Sequence, residues 1–132
     1  MEKYLLDTNV VISLLRKDEK VIDKIKSVRF SNCYISEITI AELYFGASKS
    51  ERYEEQSKDV DLVSSCFKIV PIFESLALYG QLRWYLQQKG TPVGDFDILI
   101  GSTAIYKGYT MVTANVKHFA MLPHIKLENW QF

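Results

Sequence analysis

The sequence has few cysteines, and they lie far apart. Only Cys33 and Cys66 occur among 132 residues, and neither belongs to a CxxC or a Cys/His spacing. This pattern argues against a structural zinc site and against a disulfide framework. We therefore expect both side chains to be buried thiols.

The sequence also lacks a long apolar run and an excess of charge of either sign. No stretch approaches the roughly 18 apolar residues of a membrane span. The chain reaches Asp7 after two leucines, which leaves no apolar segment of a signal peptide. Sixteen basic and sixteen acidic side chains give a formal net charge of zero, so no overall positive field attracts nucleic acid. We expect a cytoplasmic protein with no membrane segment, in which any contact with nucleic acid is local.

Glycine and proline are sparse, with six and three residues, which excludes collagen-like and low-complexity chains. Hydrophobic residues make up 48% and charged residues 24%, an ordinary globular composition. A chain of this length buries a genuine core. We therefore predict a single domain spanning residues 1–132.

Short apolar segments alternate with helical patterns along the chain. The strand-like segments are residues 4–6, 33–35, 68–71, 110–112 and 125–127. The helical patterns follow Asp7 and then cover residues 19–29, 36–48, 51–67, 74–89, 95–107 and 116–121. Strands that alternate with helices predict an α/β fold whose central, mainly parallel sheet of four or five strands is covered on both faces.

Acidic residues occur where the predicted strands and loops end. Asp7 directly follows the first strand, Glu42 lies early in the helix after the second, and Asp97 opens the helix after the loop at residues 90–94. Sites of open parallel sheets form beyond the carboxyl ends of the strands. We therefore expect these carboxylates to share one pocket.

Carboxylates crowded into one pocket raise each other's pKa unless a counter-charge is present. Mg²⁺ and Mn²⁺ prefer oxygen ligands and often retain water and phosphate ligands. A cation held in this way activates a water molecule and stabilises charge on a leaving oxygen. Hydrolysis of a phosphodiester is therefore the reaction that the acids favour.

Each acid also has a purely structural interpretation. Asp7 is of a type that caps helices well. Glu42 follows Thr39 by three positions, which is the spacing of a capping box. Asp95 and Asp97 lie in the first turn of a predicted helix, where negative charge is favourable. From the residues alone, both interpretations remain open.

Four sequence segments resemble the conserved blocks of one family. They are YLLDTNV at residues 4–10, ITIAELYFG at 38–46, TPVGDFDILI at 91–100, and TMVTAN at 110–115 followed by His118 and Phe119. In this order and at these separations they resemble the PIN-domain family, and in particular its VapC-type toxin ribonucleases. The resemblance covers nearly the whole chain.

The resemblance implies a PIN-domain-like three-layer α/β/α sandwich and a metal-dependent endoribonuclease that uses Mg²⁺, for which Mn²⁺ can substitute. It further implies the toxin of a toxin-antitoxin pair that cleaves tRNA or another structured RNA. The implied partners are RNA, a VapB-like antitoxin whose C-terminal segment wraps the toxin and blocks its site, and commonly a second toxin copy.

The resemblance also assigns roles to individual residues. Asp7, Glu42 and Asp97 match the catalytic, metal-binding acids of the family. Five further positions match supporting residues: Thr8, Asn9, Asp95, Thr113 and Asn115. Asn115 stands at a fourth acidic position and lacks its charge, which argues against a tightly held second metal. We expect a structural role for His118 beside Phe119, in preference to a phosphate contact.

The main alternative is a catalytically inactive PIN-like module that binds a partner protein or RNA and retains the acids as caps. A receiver-like phosphoacceptor domain needs adjacent acids after the first strand, and Asp7 is followed by Thr8. A structure-specific DNA nuclease usually needs a longer chain. The ribonuclease is therefore our leading prediction.

Overall fold

The computed structural model, which describes residues 1–131, contains one sheet of five strands. The strands are β1 (Tyr4–Leu6), β2 (Cys33–Ser36), β3 (Lys68–Val70), β4 (Thr110–Val112) and β5 (Lys126–Glu128). Their order is β3-β2-β1-β4-β5, and every pair is parallel. The predicted parallel sheet is confirmed, and β1 occupies its centre.

Seven α-helices accompany the strands within the described residues. They are α1 (Thr8–Leu15), α2 (Glu19–Val28), α3 (Glu37–Ser48), α4 (Tyr53–Cys66), α5 (Leu76–Lys89), α6 (Asp95–Lys107) and α7 (Val116–Phe119). Two 3₁₀ turns lie at Phe30–Asn32 and Phe73–Ser75. The second turn takes up the residues with which the predicted helix 74–89 began, so α5 begins two residues later than predicted.

The sheet separates two hydrophobic cores. Leu6 and Val112 pack with the first four helices, whereas their neighbours Leu5 and Met111 pack with α5, α6 and α7. Successive side chains of a strand point to opposite faces, so each buried strand contributes to both cores. The result is the predicted α/β/α sandwich.

Other sequence predictions also need correction. Cys33 is buried in β2, but Cys66 is exposed at the end of α4, because only the side of α4 that carries Val60 and Val63 faces the core. The last strand is shifted by one residue, since Ile125 packs against the core before β5 begins. Helix α7 ends at Phe119 and not at residue 121. Within residues 1–131, no helix is long and apolar enough to cross a membrane.

Candidate functional site

Asp7 lies at the carboxyl end of the central strand, where the chain turns from β1 into α1. The residue is only 5% exposed. The backbone N–H of Thr8 donates to Asp7 Oδ1 at 2.8 Å, and the Thr113 hydroxyl, which follows β4, donates to Oδ2 at 2.9 Å. Asp7 is therefore the N-cap of α1, as one interpretation predicted, and both of its oxygens are fixed.

Glu42 reaches the same edge of the sheet from α3. This helix begins at Glu37, and its N-cap is Ser36, whose hydroxyl accepts from the Ile38 N–H at 3.0 Å. The capping box proposed for Thr39 and Glu42 is therefore wrong, since both residues lie inside the helix.

A chain of hydroxyl groups holds the Glu42 carboxylate. Thr8 Oγ1 donates to Glu42 Oε1 at 2.6 Å and lies 3.0 Å from Thr39 Oγ1. An ionised carboxylate can only accept, so the proton of the Thr8 hydroxyl goes to Glu42. Thr39 therefore donates to Thr8, and a fully buried threonine of α3 orients the hydroxyl that orients the glutamate.

Asp97 approaches from the first turn of α6, and His118 Nε2 lies 3.0 Å from its Oδ2. Burial is the largest cause of a raised pKa of Asp7. The hydrogen bonds from Thr113 and Thr8 lower this pKa, and the negative charges of Asp97 and Glu42 raise it. The charges of the three carboxylates, which come from separate elements, therefore interact, while their role as one catalytic pocket stays a prediction.

The other predicted supporting residues differ in placement. Thr8 and Thr113 contact the acids, as described above. The Asn115 backbone N–H donates to Thr113 Oγ1 at 3.0 Å, and its side chain is exposed, as is that of Asn9. Asp95 bonds to the Tyr79 hydroxyl at 3.1 Å and pairs with Arg83 at 3.4 Å. The N-cap of α6 is Gly94, and Asp95 lies in the first turn of the helix, where its side chain contacts these two residues of α5.

Sequence reasoning missed the polar contacts of Thr39 and His118. The spacing of three between Thr39 and Glu42 places both residues on one helix face, a signal that the capping-box interpretation does not use. The pairing of His118 with Asp97 joins residues 21 positions apart and leaves no local signal in the sequence.

Within residues 1–131, no lysine or arginine forms an ion pair with Asp7, Glu42 or Asp97. Their carboxylate and hydroxyl donors match the preference of Mg²⁺ and Mn²⁺ for oxygen ligands. The donor set therefore fits such a cation. In their present positions, however, no three His, Cys, Asp or Glu side chains of the described chain are gathered tightly enough to hold a metal.

The fold and the site together define a parallel α/β domain with a cluster of acids at the carboxyl edge of its sheet. The PIN domain family profile matches residues 4–123. The chain therefore belongs to the PIN domain family and, within it, to the VapC group, whose members it matches over nearly its full length. The resemblance drawn from four short segments is confirmed.

Relatives of known name support this assignment. Ribonuclease VapC2 of Rickettsia felis is 36% identical over 130 residues, which are 96% of this chain and 97% of that protein. The tRNA(fMet)-specific endonuclease VapC of Salmonella typhimurium is 34% identical over 131 residues, with coverages of 98% and 99%. The crystal structure of VapBC2 from Rickettsia felis, bound to a DNA fragment from their promoter, matches with a TM-score of 0.89 and 35% identity, covering 96% of this chain and 98% of that chain.

Proposed function

We propose that this chain is the endoribonuclease toxin of a toxin-antitoxin pair and that Asp7, Glu42 and Asp97 form its catalytic, cation-binding site. The observation that carries the proposal is that Thr8 bonds to both Asp7 and Glu42, while the segment from Thr113 to His118 contacts both Asp7 and Asp97, with no lysine or arginine paired to any of the three acids within residues 1–131. Relatives that match the chain from end to end are named as ribonucleases, which assigns the chemistry to RNA.

We further propose that the site uses a divalent cation, Mg²⁺ with Mn²⁺ as a substitute. Such an ion lowers the pKa of a bound water molecule and stabilises negative charge on phosphate oxygens. Hydrogen bonds within the chain position the three acids. Thr8 and Thr113 donate to the two oxygens of Asp7, Thr8 also donates to Oε1 of Glu42, and His118 contacts Oδ2 of Asp97. The other oxygen of Glu42 and of Asp97 is then available to a cation.

The proposed substrate is tRNA or another structured RNA, because one relative is named for cleavage of tRNA(fMet).

The proposed partner is a VapB-like antitoxin, since similar chains were crystallised as VapBC complexes. A groove with a volume of about 330 Å³ has Glu42 in its wall and apolar residues of α1, α3 and α4 along it. An apolar segment of an antitoxin that covered this groove would also obstruct the site. A second toxin copy remains a further proposed partner.

Cleavage assays with two asparagine variants test the proposal. Antitoxin-free protein is incubated with total RNA and with purified tRNA in the presence of Mg²⁺, Mn²⁺ or EDTA. We expect discrete fragments with either cation and none with EDTA. We expect Asp97→Asn to abolish cleavage with an unchanged melting transition, because it removes charge at nearly constant volume. Asp95→Asn is the matched control, since it removes the same charge two residues away, and we expect it to cleave like the parent.

Two results would contradict the proposal. Equal loss of cleavage in the Asp95 and Asp97 variants would mean that helix charge, and not a cation site, supports activity. An absence of cleavage with every cation, combined with retained RNA binding, would favour the inactive binding module.

A further inference from the structure

His118 contacts Asp97, one of the three acids of the proposed site. It lies on α7, directly after the turn that follows β4, and its side chain is 25% exposed. Its Nε2 is 3.0 Å from Asp97 Oδ2, while its ring meets that of Phe119 edge to face with centroids 5.4 Å apart. Phe119 is buried in the core that the sheet shares with α5 and α6, and it fixes α7 there. The ring is thus held on one side by packing and faces an acid with its nitrogen.

The segment from residue 113 to residue 118 supports two acids at once. At its start the Thr113 hydroxyl donates to Asp7, and near its end His118 faces Asp97. Asp7 follows β1 and Asp97 lies on α6, so these two acids come from elements that are far apart in the chain. One short segment therefore sets the position of one carboxylate relative to the other.

We propose that His118 is a positioning residue that donates its Nε2 hydrogen to Asp97 Oδ2 and holds this carboxylate in the orientation needed to bind the divalent cation. The inference rests on the proposed function, because it requires Asp97 to be a cation ligand. Hydrogen-bond partners of metal-binding side chains typically contribute roughly 10- to 100-fold to metal affinity. His118 carries this contribution for Asp97.

The test measures Mn²⁺ affinity by isothermal titration calorimetry with the full, antitoxin-free chain, so that it does not depend on activity. His118→Phe keeps a ring against Phe119 but removes the donor, and we expect Mn²⁺ to bind at least 10-fold more weakly. His118→Gln places an amide N–H near the position of Nε2, and we expect it to restore affinity to within about threefold of the parent. Thermal melting of each variant checks that the fold is retained.

A double-mutant cycle identifies the residue through which His118 acts. We expect Asp97→Asn to weaken Mn²⁺ binding strongly and His118→Phe to add no further loss in that background. The proposal fails if His118→Phe binds Mn²⁺ like the parent, if glutamine does not rescue, or if the two losses are independent. If Asp97→Asn itself leaves Mn²⁺ binding unchanged, the cation site of the proposed function is wrong, which is a separate and recognisable failure.

Discussion

Thr8 is the residue on which the contacts of the acid cluster converge. Its backbone N–H donates to Asp7, its hydroxyl donates to Glu42, and the same hydroxyl accepts from Thr39. A serine or threonine is needed here, because only a hydroxyl can donate and accept through one atom. The geometry of Glu42 therefore depends on Thr39, a buried residue that acts on the acid through Thr8.

We predict that Thr39→Val lowers the rate of RNA cleavage about threefold to tenfold, the effect of losing one neutral hydrogen bond of about 1 kcal/mol. Valine matches the shape of threonine but cannot donate to Thr8, so the Thr8 hydroxyl loses its orientation. The rate is measured as kcat under saturating Mg²⁺. Thr39→Ser keeps the hydroxyl and should cleave like the parent. Similar rates for the valine and serine variants would contradict the role given to the hydroxyl chain.

The two cysteines should differ sharply in reactivity. Burial raises the pKa of the Cys33 thiol to about 11, and its Sγ donates to the Arg29 carbonyl at 3.8 Å, whereas Cys66 is exposed. At pH 8 we expect a thiol reagent to modify one cysteine per folded chain and both in denaturant. In the folded Cys66→Ser variant we expect no rapid modification. Rapid modification of that variant would mean that Cys33 is accessible.

The same raised pKa of Cys33 predicts how stability depends on pH. Its stabilising effect is complete below the ordinary thiol pKa of 9.0, because the thiol is then protonated in both the folded and the unfolded chain. Above that pH the unfolded chain ionises first, so the free energy of unfolding falls as pH rises towards about 11. Urea titrations of the parent and of Cys33→Ala at a series of pH values test this. The difference between their free energies of unfolding should be constant below pH 9.0 and should change between pH 9.0 and about 11.

At the scale of elements, α5 and α6 each end at a glycine in the left-handed conformation. Gly108, with φ of 71°, closes α6 and directs the chain into β4, which leads to Thr113. We predict that Gly108→Ala lowers the free energy of unfolding by about 1 kcal/mol, because a Cβ is strained at that φ. Gly80→Ala is the opposite control: Gly80 lies inside α5 with open space around an added Cβ, and alanine should stabilise it by up to about 1 kcal/mol. Chemical denaturation measures both changes, and a loss of equal size in both variants would contradict the argument.

The elements were largely predictable from the sequence, because local periodicity specifies them. Leu5 and Leu6 show why: consecutive apolar residues in a short strand fill the two cores on either side of the sheet. The convergence of Asp7, Glu42 and Asp97 was also predictable, since parallel strands end at one edge. The contacts among them were not. Thr8 and Thr39 are 31 positions apart, and their hydrogen bond depends on how α1 and α3 pack.

At the scale of the whole molecule, a net charge of zero coexists with a local concentration of negative charge. Without a cation, the buried carboxylate of Asp7 opposes folding, because burial and the charges of Asp97 and Glu42 all disfavour its ionised form. The arrangement is typical of functional sites, in which stability is sacrificed for binding. A bound cation would reverse the sign of this electrostatic effect.

We predict that Mn²⁺ raises the melting temperature of the parent chain and that Asp7→Asn nearly removes the effect. A ligand that binds only the folded state stabilises it by roughly 2.7 kcal/mol at 100 times its Kd. In EDTA, Asp7→Asn should melt at a higher temperature than the parent, because the buried charge and its repulsion are gone. Saturating Mn²⁺ should reverse that order. Differential scanning calorimetry of both proteins measures these melting temperatures. Asp95→Asn is the control, and we expect Mn²⁺ to raise its melting temperature as much as that of the parent. If Asp7→Asn gains as much from Mn²⁺ as the parent does, the cation binds elsewhere on the chain and the acid cluster must be explained without it.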